Sequence, residues 1–144
     1  MSFYKTILLV SLPMIMFALE PIGLVKKVKG EAFDIKRDNT TIPLKVGDKI
    51  YEGDTIKTSM KSSIGIIFED GTLISVGSNS VFGVDEYLFE PKDKKVKFNS
   101  NLTKGTMACM SGLIAKINPD AMKIKAKSAS MGIRGTYFIV EVDE

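Results

Sequence analysis

Three aspartates carry the acid–base chemistry open to this chain, and each adjoins a glycine: Gly47-Asp48, Gly53-Asp54 and Asp70-Gly71. Two such carboxylates facing each other across a cleft would make a glycosidase pair, and three converging would make a calcium site. The glycines point to a plainer task. Glycine turns the chain, and an aspartate beside it accepts the backbone N–H groups of that turn. Neither an EF-hand nor a calcium-binding nonapeptide is present. The unit Gly47-Asp48-Lys49-Ile50 recurs six residues on as Gly53-Asp54-Thr55-Ile56, which returns an isoleucine to the core at the same distance from each corner.

The rest of the catalytic repertoire is thin. With no histidine in the chain, the commonest general base and the commonest transition-metal ligand are both missing. Cys109 is the single cysteine, so no intrachain disulfide can form, and its neighbours Met107, Ala108 and Met110 mark it as a core thiol. No phosphate-binding or dinucleotide glycine pattern occurs. A non-enzymatic protein without cofactor or metal is expected.

Two features are candidates for binding. In Gly132-Ile133-Arg134-Gly135-Thr136 a guanidinium sits between two turn glycines. Arg134 either ties the last corner to an acid such as Asp70 or Asp54, with its stem packed on the core, or faces a carboxylate or phosphate of a ligand or partner. The polar clusters Ser78-Asn79-Ser80 and Asn99-Ser100-Asn101, with Thr103, are expected at loop tips. There they serve as turns or meet glycans, with Tyr51, Tyr87, Tyr137 and the phenylalanines for stacking in a chain that lacks tryptophan.

The elements that would position these residues are short strands. Ile64, Ile66 and Phe68 alternate with Gly65, Ile67 and Glu69 up to the Asp70-Gly71 turn, and Thr72, Ile74 and Val76 then alternate with Leu73 and Ser75. Further strands are expected over Val81 to Phe89, around Val96 and Phe98, around Ile124, and over Thr136 to Val142. The stretch from Leu102 to Met122 is the least strand-like: Gly105-Thr106-Met107 could begin a strand, Ser111 to Ile117 could be strand or a helical turn, and Asn118-Pro119-Asp120 enforces a bend, with one short helical turn around Pro119 to Met122 and no long helix anywhere. The pattern predicts an all-β fold, a small β-solenoid or β-roll of short strands, with a β-sandwich as the alternative.

At 144 residues the chain holds one domain, expected over 23–142. Lys5 precedes an apolar run from Ile7 to Ala18 of the length of a secretory core, so residues 1–18 read as a signal peptide; retention as a membrane anchor is the alternative. Without Lys5 the 20 basic residues become 19 against 17 acidic, a net charge of +2. That balance predicts no nucleic-acid binding. The lysines of Lys26-Lys27-Val28-Lys29 and Lys92-Asp93-Lys94-Lys95-Val96-Lys97 read as solvated strand faces and edge protection.

Taken in order, the Gly-Asp repeat, Asp70-Gly71-Thr72 and the closing Gly132-Ile133-Arg134-Gly135-Thr136-Tyr137-Phe138 resemble the FecR domain family from about Gly23 to Val142. The resemblance implies a periplasmic or cell-surface binding domain. In the best-known members it follows a cytoplasmic anti-sigma segment and a membrane helix, and relays a signal from an outer-membrane transporter. Here only about six residues precede the apolar run and the chain reads Lys125-Ala126-Lys127 where members often carry Thr-Pro. A stand-alone exported domain is therefore expected, which engages a protein partner in the envelope in a signalling or regulatory role. The structural alternative is a wall- or surface-associated scaffold that contacts peptidoglycan or its own copies.

Overall fold

The computed structural model describes residue 13 and residues 19–127, 129–132 and 136–142, with the side chains of 129–132 left aside. The expected signal segment, save Pro13, lies outside the described residues, as do Arg134 and Gly135.

The fold is all-β, as the alternation predicts. Its strands are β1 (Gly23–Lys29), β2 (Ala32–Ile35), β3 (Thr41–Pro43), β4 (Lys49–Ile50), β5 (Thr55–Thr58), β6 (Ser63–Phe68), β7 (Leu73–Val76) and β8 (Val81–Glu90). They continue as β9 (Lys95–Met110), β10 (Met122–Ala126), β11 (Ala129–Gly132) and β12 (Tyr137–Val142), with one short helix, α1 (Leu113–Ile117). All belong to a single sheet curled into a half-barrel around β9. The first half of β9 pairs with β8, beyond which lie β5, β2 and β3; its second half pairs with β7, beyond which lie β6, β1 and β4. The flank of β9 away from β8 carries β10 and then β11, and the flank away from β7 carries β12. Among the described residues parallel pairing is confined to β9 and β10. Short turns can join only antiparallel neighbours, which is why the chain rolls up through hairpins rather than through stacked parallel coils.

Alternation sets which face is dry. Ile64, Ile66 and Phe68 of β6 and Ile74 and Val76 of β7 are buried, and they meet Phe82, Val84, Phe98 and Leu102 from the other half of the sheet. Each such side chain contributes about 1.5–3 kcal/mol by leaving water. Phe68, Tyr87 and Phe98 form an aromatic cluster with ring centroids 4.8 to 5.7 Å apart.

Two sequence expectations change here. Of the stretch from Leu102, the strand expected to begin at Gly105 is instead the second half of β9, which runs 16 residues without a break to Met110, and Leu113–Ile117 takes the helical alternative as α1. Partners on both flanks hold β9 extended, so tertiary pairing overrides a weak local pattern. Its bend falls at Gly105, whose φ of +86° places the backbone where a Cβ would strike the Ser80 side chain. The polar clusters change in part: Ser78 and Asn79 form an exposed turn as expected, whereas Ser80 and the second cluster do not stand at a loop tip. Ser80 is fully buried and bonds across the bend, accepting from Thr106 N at 3.0 Å and donating to Ser78 O at 2.9 Å. Asn99, Ser100, Asn101 and Thr103 lie within β9 rather than on a loop tip, with Ser100 buried and Asn101 bonded to Asp85 at 2.9 Å. The helical turn foreseen near Pro119 is a 3₁₀ turn over Pro119–Ala121.

Candidate functional site

The two Gly-Asp units build the same corner twice. Asp48 Oδ2 accepts Lys45 N–H at 3.0 Å, and Asp54 Oδ2 accepts Tyr51 N–H at 2.9 Å, each closing a turn three residues back. Gly47 and Gly53 supply the left-handed backbone, and Ile50 and Ile56 are fully buried beyond the corners.

Asp70 does more than cap its own turn. Its Oδ1 accepts from the Tyr87 hydroxyl at 3.0 Å and Thr72 N at 3.2 Å; its Oδ2 accepts from Thr72 Oγ1 at 2.7 Å and Ile114 N at 3.1 Å. The Asp70 carbonyl also accepts Leu113 N–H at 2.9 Å, so this turn caps α1 from 44 residues away. Gly112 passes so close to Asp70 O and Thr72 N that a Cβ would collide with them. Burial first, and then the charge of Asp70, raise the Tyr87 phenol well above its ordinary range and keep it a neutral donor. Burial, aided by Asp70, likewise pushes the Cys109 thiol up to about 12, which makes it an unreactive core residue.

A second acidic cluster involves residues that sequence reasoning passed over. Lys36 Nζ lies 2.9 Å from Asp34 Oδ2 and 2.8 Å from Asp54 Oδ2, and 4.8 Å from the centre of the Tyr51 ring. Both carboxylates are buried, and Asp34 Oδ1 has no hydrogen-bond partner. Burial and the adjacent Asp54 raise the Asp34 pKa to about 7, against the pull of Lys36. Lys36 is itself raised, since its bonds to Asp54 and Asp34 outweigh the opposing effect of burial. Alternation on β2 was the available signal: Asp34 occupies an inward position between Ala32 and Lys36. Among the described residues no group of three or more Cys, Asp or Glu is placed to hold a metal ion.

Asp48, Asp54 and Asp70 thus belong to separate turns and each accepts a backbone N–H of its own turn, while Asp54 also holds Lys36 and Asp70 also holds Tyr87 and Ile114. Of the two acids considered as partners for Arg134, Asp70 accepts four bonds from the core and Asp54 holds Lys36. Gly132 ends β11, and Thr136 O accepts Ser111 N–H at 2.8 Å at the entry to β12.

The exposed chemistry lies on β12 and the outer face beside it. Tyr137 is opposite Met110, Met110 opposite Leu73, Leu73 opposite Ile67, and Ile67 opposite Leu24, one row across five strands. Tyr137 is 60% and Ile139 65% exposed, and Met110, Leu73 and Leu24 are also open to solvent. The edges of the half-barrel differ in how they are guarded. At one end β3 is three residues long and closes on Pro43; at another β4 is two residues long and exposes Lys49. By contrast β12 is six residues long, contains neither lysine nor proline, and among the described residues pairs with β9 alone. Lysine, proline and shortness are the usual protection of a sheet edge, and β12 has none of them.

Comparison with known proteins adds three findings. The sequence profile of the family described as FecR protein matches residues 54–144. No curated protein matches the chain. A solved structure titled "Cell surface anchoring domain" is 32% identical over 43% of this chain and 82% of its own, with a TM-score of 0.42.

Proposed function

We propose that this chain, which belongs to the FecR protein family, is an exported, non-enzymatic binding module of the cell envelope that engages a protein partner by strand addition at β12. Export is supported by the apolar run from Ile7 to Ala18 behind Lys5, read as a signal peptide. A signalling or regulatory role is what the family suggests for such a module. The observation that carries the reading is the unguarded edge of β12, with Tyr137 and Ile139 projecting beside it.

The hydrogen-bond parity of that edge can be read directly. Ser111 donates to Thr136 O, and Gly77 donates to Thr106 O on the opposite flank of β9. In an antiparallel ladder bonded pairs alternate, so Phe138, Val140 and Val142 face β9. The backbone groups of Tyr137, Ile139 and Glu141 therefore point away from the sheet, as a docking strand requires. An Ile139→Pro variant removes an outward N–H while leaving the β9 ladder its bonds. With a photo-crosslinking residue at Tyr137 in envelopes of the source cell, the unsubstituted edge should yield discrete protein adducts. Ile139→Pro should abolish them while changing stability by no more than about 1 kcal/mol. Adducts that persist in the folded Ile139→Pro protein would overturn strand addition at this edge.

A further inference from the structure

We propose that the occupant of the β12 edge is a second copy of the same chain, paired antiparallel about a two-fold axis at Ile139; this rests on β12 being the docking edge. Strand pairing about a two-fold axis matches residues whose numbers have a constant sum, and parity allows only registers that bring the outward-bonding residues together. With Ile139 opposite its own copy, Tyr137 meets Glu141 of the second strand and Glu141 meets its Tyr137. All three outward residues of each strand are then bonded, and six backbone hydrogen bonds form. Sliding by one step, to place Val140 on the axis, carries Tyr137 past the end of the described strand and keeps four of the six bonds within it.

The side chains agree with that register. Glu141 is the only charged residue of β12, and it faces a tyrosine rather than its own copy, so no like charges stand opposite each other. Ile139, 65% exposed in the monomer, packs against Ile139 on the axis. Tyr137 starts the row that continues through Met110 and Leu73, so the two outer faces join into one surface with an apolar row on each side of the seam, offset by four residues about Ile139. A pair of six-residue strands buries little area, at the low end of specific interfaces, so the dimer is concentration-dependent and of roughly micromolar strength.

The full chain, expressed in the envelope of intact cells, provides the test. Ile139→Cys should form a disulfide-linked dimer on mild oxidation, because directly opposed residues of a bonded pair lie about 5.5 Å apart at Cα. Tyr137→Cys should not link to itself, since the two copies of residue 137 stand four positions apart along the strands, about 13 Å. Co-expressed Tyr137→Cys and Glu141→Cys chains should link to each other. Cys109 is buried, so the unsubstituted chain serves as the background. In sedimentation of the purified chain, mass should rise toward twice the monomer with concentration, and Ile139→Lys should weaken association roughly tenfold or more by placing two ammonium groups on the axis. Self-linking at Tyr137 equal to that at Ile139, or a monomer at every concentration, overturns the second-copy assignment. If Ile139→Pro still abolishes capture of another envelope protein in that case, strand addition at β12 survives; if it abolishes nothing, both fail.

Discussion

Asp70 and Asp34 are equally withdrawn from water, at 2% and 1% exposure, yet Asp70 accepts four hydrogen bonds while Asp34 leaves one oxygen with no partner. Around Asp70 the charge is spread over neutral donors from a turn, a tyrosine and a helix start, each of which would be unsatisfied without it. Around Asp34 a single lysine serves two carboxylates, which leaves one negative charge in excess among buried groups. A second carboxylate beside Asp34 drives it to take up a proton, whereas the partners that bond Asp70 are all donors. The two regions also differ against the family match: Asp70, Thr72, Tyr87 and Ile114 all lie within residues 54–144, whereas the second cluster straddles its start, with Asp34 and Lys36 before it and Asp54 its first residue.

Removing the first carboxylate should hurt most. Asp70→Ala leaves Thr72 N, Ile114 N and the Tyr87 and Thr72 hydroxyls without their acceptor, a loss of about 3–5 kcal/mol that should lower the melting temperature by about 10 °C or more. A melting curve within a few degrees of the parent would mean that these bonds do not hold α1 to the sheet. The second carboxylate should act through pH. Its folded pKa is above the unfolded value of 3.8, so the native state binds more protons between about pH 4 and 7. The contribution of Asp34 is fully present below that window and is lost as pH rises through it, with a slope of up to about 1.4 kcal/mol per pH unit. Asp34→Asn should flatten this part of the stability profile; denaturant titrations at pH 4.5 and 7.5 that change equally in parent and variant would remove the contrast. At the small end stands Lys97, 2.7 Å from Glu86 with both side chains about half exposed. Lys97→Ala should leave the midpoint of a urea curve unchanged within error, since an exposed pair gains little over its hydrated ions.

Local chemistry made much of this legible in advance. The Gly-Asp corners, the hairpin at Asp70-Gly71 and the buried alternation of Ile64, Ile66 and Phe68 all depend on residues within a few positions of each other. Ser80 and Asn101 show where that reach ends. A serine after Gly77-Ser78-Asn79 looks like any loop residue until Gly105 and Thr106, about 25 positions on, are brought against it. Lys36 likewise looks like one more surface lysine, because Asp54 lies 18 residues away and only the pairing of β2 with β5 brings them together. The same limit applies to β12: its strand character was plain, but its being an unguarded edge depends on what lies beside it.

By itself, the sequence determined the all-β class, the placing of the corners, the inward positions of the central strands and the lack of histidine chemistry. These follow from backbone preference, side-chain alternation and composition, which act within a few residues or over the whole chain at once. Tertiary structure alone decided that β9 would run through both halves of the sheet and that Asp70 would cap a helix 44 residues away. It also decided that Asp34 would share a lysine with Asp54, and that β12 would pair, among the described residues, with β9 alone. Each of these depends on long-range register: pairing two strands fixes every partner along them together, and no single segment carries that information.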